Sequence, residues 1–141
     1  MKNFTPGPDC TVDESLVGFR GRCSFKQYIT NKPSKYGIKI FVLADNQTSY
    51  SVKSIYAGKG TFSSEMDSIL PMPTKVVLNL ADCIAKTSRN ITTDNYYTSI
   101  TLAKELQNQG LALIGTMKKN KRCIPPHLKK KKARRHNRLW I

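Results

Sequence analysis

RNITTDNYYTS, residues 89–99, is the stretch whose reading decides the fold. Asn90 to Thr93 is short and β-prone; it delivers one carboxylate, Asp94, and then Thr98 and Ser99 offer the start of a helix. A carboxylate so placed is held by paired backbone on one side and open on the other, the way strand ends in α/β sheets present ligands to a crevice. Its natural partner is Asp13, far upstream. A simpler reading stands beside it, in which Asp94 and Asn95 cap the helix that follows.

Outward from this stretch, the second helix carries Ile100, Ala103 and Leu106 and closes at Gly110 in the C-cap role, and Leu111 to Met117 reads as a final strand. Upstream, Val76, Val77, Leu80, Ala81 and Ile84 fall at three-and-four spacing, predicting a helix from Thr74, with Thr74 as its cap directly after Pro73. Gly58 to Pro73 reads as a surface loop. Tyr36 to Ala44, YGIKIFVLA, is the strongest strand; with Tyr50 to Tyr56 it forms a hairpin turned by Asp45 to Ser49. Arg20 to Ser34 reads as an ordered loop or short β-arm, and Thr11 to Phe19 as a first strand. The order of strands, helix, strand, helix and strand predicts an α/β chain, a mixed sheet with helices packed on it.

The chain has 141 residues, a net charge of +15 and 39% apolar content, room for about one domain. The charge is uneven. Residues 1–117 hold 13 Lys and Arg against all nine Asp and Glu, a net of +4, whereas residues 118–141 hold 11 basic residues and no acid. A mildly basic domain with a strongly basic tail points to a polyanion such as nucleic acid as partner. No stretch approaches the length of a membrane-spanning helix, and the first 20 residues lack the apolar core of a signal peptide, so the expectation is a chain inside the cell with no membrane partner. Cys10, Cys23, Cys83 and Cys123 include no CxxC pair and are expected to stay reduced. In that setting the Asn-x-Thr triplets at Asn46 and Asn90 are not glycosylation sites, and Cys123 with His127 and His136 is too irregularly spaced for zinc.

Five ordered blocks add a resemblance. DESLVGFRGRC (13–23), FKQYITNKPSKYGIKIFVLAD (25–45), YAGKG (56–60), NITTDNYYTSITLAKEL (90–106) and GTMKKNKRCIP (115–125) resemble the piggyBac family of transposases. The resemblance implies a partial ribonuclease H-like fold over residues 11–126, incomplete at its C-terminal side; Pro6, Gly7 and Pro8 make 1–10 an irregular lead-in, and its charge makes 127–141 a basic tail expected to be disordered. It also implies that Asp13 and Asp94 are the first and second catalytic aspartates, binding Mg²⁺ for cutting and joining DNA. The family uses a further acid well downstream of the second aspartate, and PHLKKKKARRHNRLWI after Pro125 contains none. Its long N-terminal region and cysteine-rich C-terminal module have no counterpart here either.

The expectation is therefore a transposable element-derived chain, catalytically inactive and not functionally loaded with Mg²⁺, that acts in the nucleus if anywhere. Two alternatives stay open: a domesticated DNA-binding module, and a chain active only with a partner transposase chain that supplies the missing acid. The DNA-binding candidates are Arg20, Arg22, Lys118, Lys119, Lys121, Arg122, Lys129, Lys130, Lys131, Lys132, Arg134 and Arg135. Arg20 and Arg22 can equally pair with acids on the sheet edge. Lys129 to Arg135 reads as a nuclear import signal or phosphate-binding arm, or as a solvated terminus without function. Tyr28, Tyr36, Tyr96 and Tyr97 read as half-buried or core packing, with base stacking as the alternative.

Overall fold

The computed structural model describes residues 4–30, 32–56 and 70–125. Six strands, β1 (Asp9–Gly18), β2 (Gln27–Tyr28), β3 (Tyr36–Asp45), β4 (Ser51–Tyr56), β5 (Asn90–Thr93) and β6 (Ala112–Gly115), form one mixed sheet. Helices α1 (Met72–Ala81) and α2 (Ile100–Asn108) complete the order. β1 pairs antiparallel with β3, and β3 with β4, while β1, β5 and β6 run parallel. β2 takes the start of β3. This antiparallel hairpin beside a parallel trio, with helical crossovers, is the mixed α/β arrangement of a ribonuclease H-like sheet.

Alternation along the strands places one sheet face under the helices. Cys10 and Val12 of β1, Phe41 and Leu43 of β3, Val52 of β4 and Ile91 of β5 are buried together with Val76, Val77, Leu80 and Ala81 of α1 and Leu102 and Leu106 of α2. The period of two in the strands and of three to four in the helices is the physical source of this shared core. On the opposite face Asp13, Ser15 and Val17 of β1 lie directly across from Val42, Ile40 and Ile38 of β3.

Two expected boundaries move. The first strand begins at Asp9, two residues before Thr11, because the chain ahead of it is tied to β5: Asn90 donates from its backbone N–H to the Pro8 carbonyl at 2.9 Å, and Arg89 donates to the Pro6 and Gly7 carbonyls. The first helix begins at Met72, so Thr74 is not its cap but a buried residue of its first turn. Pro73 explains the shift: in the first turn a backbone N–H has no helical partner, so proline costs nothing there and its φ suits the helix. Gly58 to Ile69 of the expected loop falls within residues 57–69, outside the described residues.

The second helix has the caps its sequence announces. Ser99 accepts from the Leu102 backbone N–H at 3.1 Å, and at the other end Gly110 takes φ 68°. There Leu111 N–H reaches the Leu106 carbonyl at 2.9 Å and Gly110 N–H reaches that of Gln107 at 2.9 Å, the paired closure of a Schellman motif. A Cβ at Gly110 would also lie 3.3 Å from Lys86 Cα. Ser99→Ala should lower stability by about 1 kcal/mol, read as a shift in urea midpoint at unchanged slope.

The β3–β4 turn is locked by Asp45. Its side chain accepts from Gly7 N–H at 2.7 Å, Thr48 N–H at 2.8 Å and the Thr48 hydroxyl at 2.6 Å. These hydrogen bonds, led by the Thr48 hydroxyl, hold its pKa below the ordinary 3.8. A depressed folded pKa contributes stability that is present above the ordinary value and lost as pH falls through the folded one. Asp45→Ala should therefore lower Tm at pH 7, and the gap to wild type should narrow as pH falls below 3.8.

Candidate active site

β5 and β6 end beside the middle of β1, and Asp13 and Asp94 stand at that level. The parallel register pairs Val12 with Thr93 and Thr93 with Gly115. Asp13 and Asp94 are each the next residue along, so the two acids directly follow the same paired level although 81 residues separate them. Asp13 sits within β1, exposed, with one carboxylate oxygen accepting from Glu14 N–H at 2.7 Å. Asp94 lies just past β5, also exposed, and its Oδ1 accepts from Tyr96 N–H at 3.0 Å and Tyr97 N–H at 3.4 Å. Neither acid's second oxygen has a hydrogen-bond partner among the described residues.

The capping reading of Asp94 is thus partly right and misplaced. Asp94 closes the turn at residues 95–97, while Ser99 caps the helix. The turn is pinned further by Thr98, whose hydroxyl donates to the Asp94 carbonyl at 2.6 Å and lies 2.8 Å from that of Thr93. Gly115 is required beside them, since a Cβ there would collide with the Thr98 hydroxyl and lie 3.0 Å from the Thr93 carbonyl oxygen. Close backbone approach is what holds Asp94 against its neighbouring strands.

On the helix-covered face the next residue of β1, Glu14, forms an ion pair with Lys39 at 2.6 Å. The Lys39 ammonium also lies 5.1 Å from the Phe41 ring centre and 5.8 Å from that of Tyr96. The four tyrosines divide between the core and half-exposed positions. Only Tyr97 is in the core, 2% exposed, edge-on to Phe41; Tyr28, Tyr36 and Tyr96 are each about half exposed. Burial first, then the charges of Glu14, Asp13 and Asp94, push the Tyr97 phenol well above its ordinary 10. Its hydroxyl is buried with no hydrogen-bond partner among the described residues. The expectation of core packing for Tyr97 holds.

The candidate cations that the structure describes lie on two segments. Arg20 and Arg22 follow the end of β1 and are exposed, and Lys118, Lys119, Lys121 and Arg122 follow β6 in two successive turns. Among the described residues the Lys39–Glu14 pair is the ion pair formed, so Arg20 and Arg22 are not tied to an edge acid. Lys129, Lys130, Lys131, Lys132, Arg134 and Arg135, with His127 and His136, lie outside the described residues. All four cysteines are free. No helix among the described residues is long and apolar enough to cross a membrane.

The donor set suits a hard divalent cation in part. Two carboxylates with one oxygen open on each can hold one hydrated Mg²⁺, which prefers carboxylate oxygen and keeps several waters. No group of three His, Cys, Asp or Glu residues suited to a metal occurs among the described residues.

The family model described as Transposase IS4 matches residues 1–140. A solved structure, a piggyBac transposase synaptic complex with hairpin DNA determined by cryo-EM, is 45% identical, covers 92% of this chain and superposes with a TM-score of 0.80. The match spans 27% of that chain's length. The chain belongs to the transposase family of the IS4 and piggyBac type.

Proposed function

We propose that the polypeptide of residues 1–141 binds DNA through its exposed Lys and Arg side chains, holds one divalent cation at Asp13 and Asp94, and does not cut DNA by itself. The observation that carries this reading is the parallel register, which pairs Val12 with Thr93 and so sets the two acids directly after matched positions of neighbouring strands. The relative of known structure is itself bound to DNA. Asp13 and Asp94 would hold the Mg²⁺ through their open oxygens while backbone N–H groups orient the other two. A bound Mg²⁺ supplies Lewis-acid polarisation of a phosphate oxygen. Lys39 neutralises Glu14, which keeps that acid from repelling phosphate. Arg20, Arg22, Lys118, Lys119, Lys121 and Arg122 gather the backbone, and the tail from Lys129 to Arg135 adds sequence-independent affinity.

Cutting by in-line displacement calls for two cations about 3.5–4 Å apart, and two carboxylates are too few to hold both. Glu105 is the sole acid after Asp94 in these residues, and it lies within α2. A supercoiled plasmid carrying terminal inverted repeats should stay uncut with Mg²⁺ or Mn²⁺; nicking that vanishes in Asp94→Ala would refute the reading. The Lys129 to Arg135 run also serves nuclear import in this account, and a fluorescent fusion confined to the cytoplasm would remove that part.

A further inference from the structure

A cluster of aromatic rings stands exposed at the end of the sheet where β2 joins it. Tyr28 of β2 and Tyr36 of β3 are directly opposed, with ring centres 4.8 Å apart. Along β3, Tyr36 shares its side with Ile38 and Ile40 while Phe41 and Leu43 point into the core, so the pair lies on the face turned away from the helices. β4 takes the next stretch of the same β3 edge, where Tyr56 lies across from Ile40 and its ring centre stands 5.1 Å from that of Phe25. Tyr28 and Tyr36 are each 53% exposed and Phe25 48%. The Lys26 ammonium donates to the Gly21 carbonyl at 3.1 Å and lies 5.2 Å from the Tyr36 ring centre. Residues 15–44 contain six Lys and Arg and no acid. Glu14 takes Lys39; the other five, Arg20, Arg22, Lys26, Lys32 and Lys35, lie in the connections either side of β2. Both connections are tied to the start of β3, by Phe19 N–H to the Tyr36 carbonyl at 3.1 Å and by Ile29 N–H to the Lys35 carbonyl at 2.8 Å.

From this arrangement we infer that the Tyr28 and Tyr36 rings, with Lys26 beside them, form a stacking platform for the unpaired bases of a DNA strand. The inference deepens the DNA-binding reading and rests on it. Charge selects the occupant. Five cations with no acid among them call for a polyanion, and a docked protein fits poorly because lysine is depleted from protein interfaces. Flat apolar faces next to those cations select a polyanion that carries bases. In a duplex the base faces are already stacked on one another, so unpaired bases are the ones that gain from an open ring. Cross-strand packing accounts for the sides the two rings turn toward each other and leaves about half of each ring in water. Every base has a π-face, so the platform reads no sequence.

The test is fluorescence anisotropy of the full chain with three labelled probes of equal length: a strand of about 12 thymidines, the same strand with abasic sites in its middle, and a duplex. The wild type should bind the thymidine strand about tenfold or more tightly than the abasic one. Tyr28→Leu and Tyr36→Leu, with circular dichroism to verify folding, should each remove most of that preference. Both should leave duplex affinity and the slope of log affinity against log salt unchanged, because the rings neutralise no phosphate. Tyr28→Phe, which keeps the ring, should retain the preference, and so should Tyr50→Leu, an exposed tyrosine at the other end of the β3–β4 hairpin. If the wild type binds the thymidine and abasic strands equally, or the folded leucine variants keep the preference, the inference is wrong and the DNA-binding reading stands. If the leucine variants lose duplex binding as well, the pair supports the fold or the phosphate contacts and the inference is again wrong. If the wild type binds none of the three probes, the DNA-binding reading fails and takes the inference with it.

Discussion

Replacing the six cations between Lys129 and Arg135 with glutamine should weaken binding to a 30-base-pair duplex by on the order of a thousandfold at 100 mM salt. Each phosphate neutralised by Lys or Arg releases condensed counterions and adds about 0.9 to the slope of log affinity against log salt. Six cations in reach would therefore change that slope by about 5 if most engage the backbone. The loss should be the same for any duplex sequence, because phosphate contacts carry no base information. Neutralising Arg20 and Arg22 instead should change the slope by about 2 or less. Fluorescence anisotropy between 50 and 300 mM salt measures both; a slope unmoved by removing the tail cations would mean the tail does not touch DNA.

Ile91→Ala should cost about 3 kcal/mol, the range for deleting most of a fully buried aliphatic side chain with little relaxation around it. Ile91 is 0% exposed and sits between Cys10 of β1 and Leu113 of β6, so its cavity would open between the strands that carry Asp13 and Asp94. Against a typical domain stability of about 5–15 kcal/mol this is a large fraction. Chemical denaturation should show a midpoint lower by about 1–2 M urea. Ile114→Ala is the control: that residue is 54% exposed on the edge strand and its loss should stay within about 0.5 kcal/mol. Equal effects at the two positions would contradict the register.

Local chemistry was legible in the sequence where a single residue type decides it. YGIKIFVLA formed β3 because continuous β-branched and aromatic residues suit a central strand, and Ser99 and Gly110 bounded α2 because a hydroxyl acceptor and a φ above zero are each nearly residue-specific. Thr74 failed as a cap because two rules competed at adjacent positions, and proline's freedom in a helical first turn outweighed the preference for threonine. What no local rule supplies is register. Asp13 and Asp94 come together through pairing between segments some 81 residues apart, anchored by the Pro8 carbonyl and the Asn90 amide. The split between buried Tyr97 and exposed Tyr96 has the same origin: adjacent residues on a turn point to opposite sides, and which side is the core depends on where Phe41 lies. The Lys39–Glu14 pair likewise follows from the antiparallel offset of β1 on β3 and has no signature in either strand alone.

The central claim is that Asp13 and Asp94 hold one divalent cation between neighbouring parallel strands, and iron-mediated affinity cleavage tests it most directly. Fe²⁺ bound in place of Mg²⁺, with ascorbate and peroxide, cuts the backbone within reach of the metal, and mass spectrometry maps the cuts. The account predicts two clusters of cleavage, around residues 12–15 and 93–97, both suppressed by excess Mg²⁺ and both lost in Asp94→Ala. Cuts at one segment only, or cuts indifferent to Mg²⁺, would contradict it.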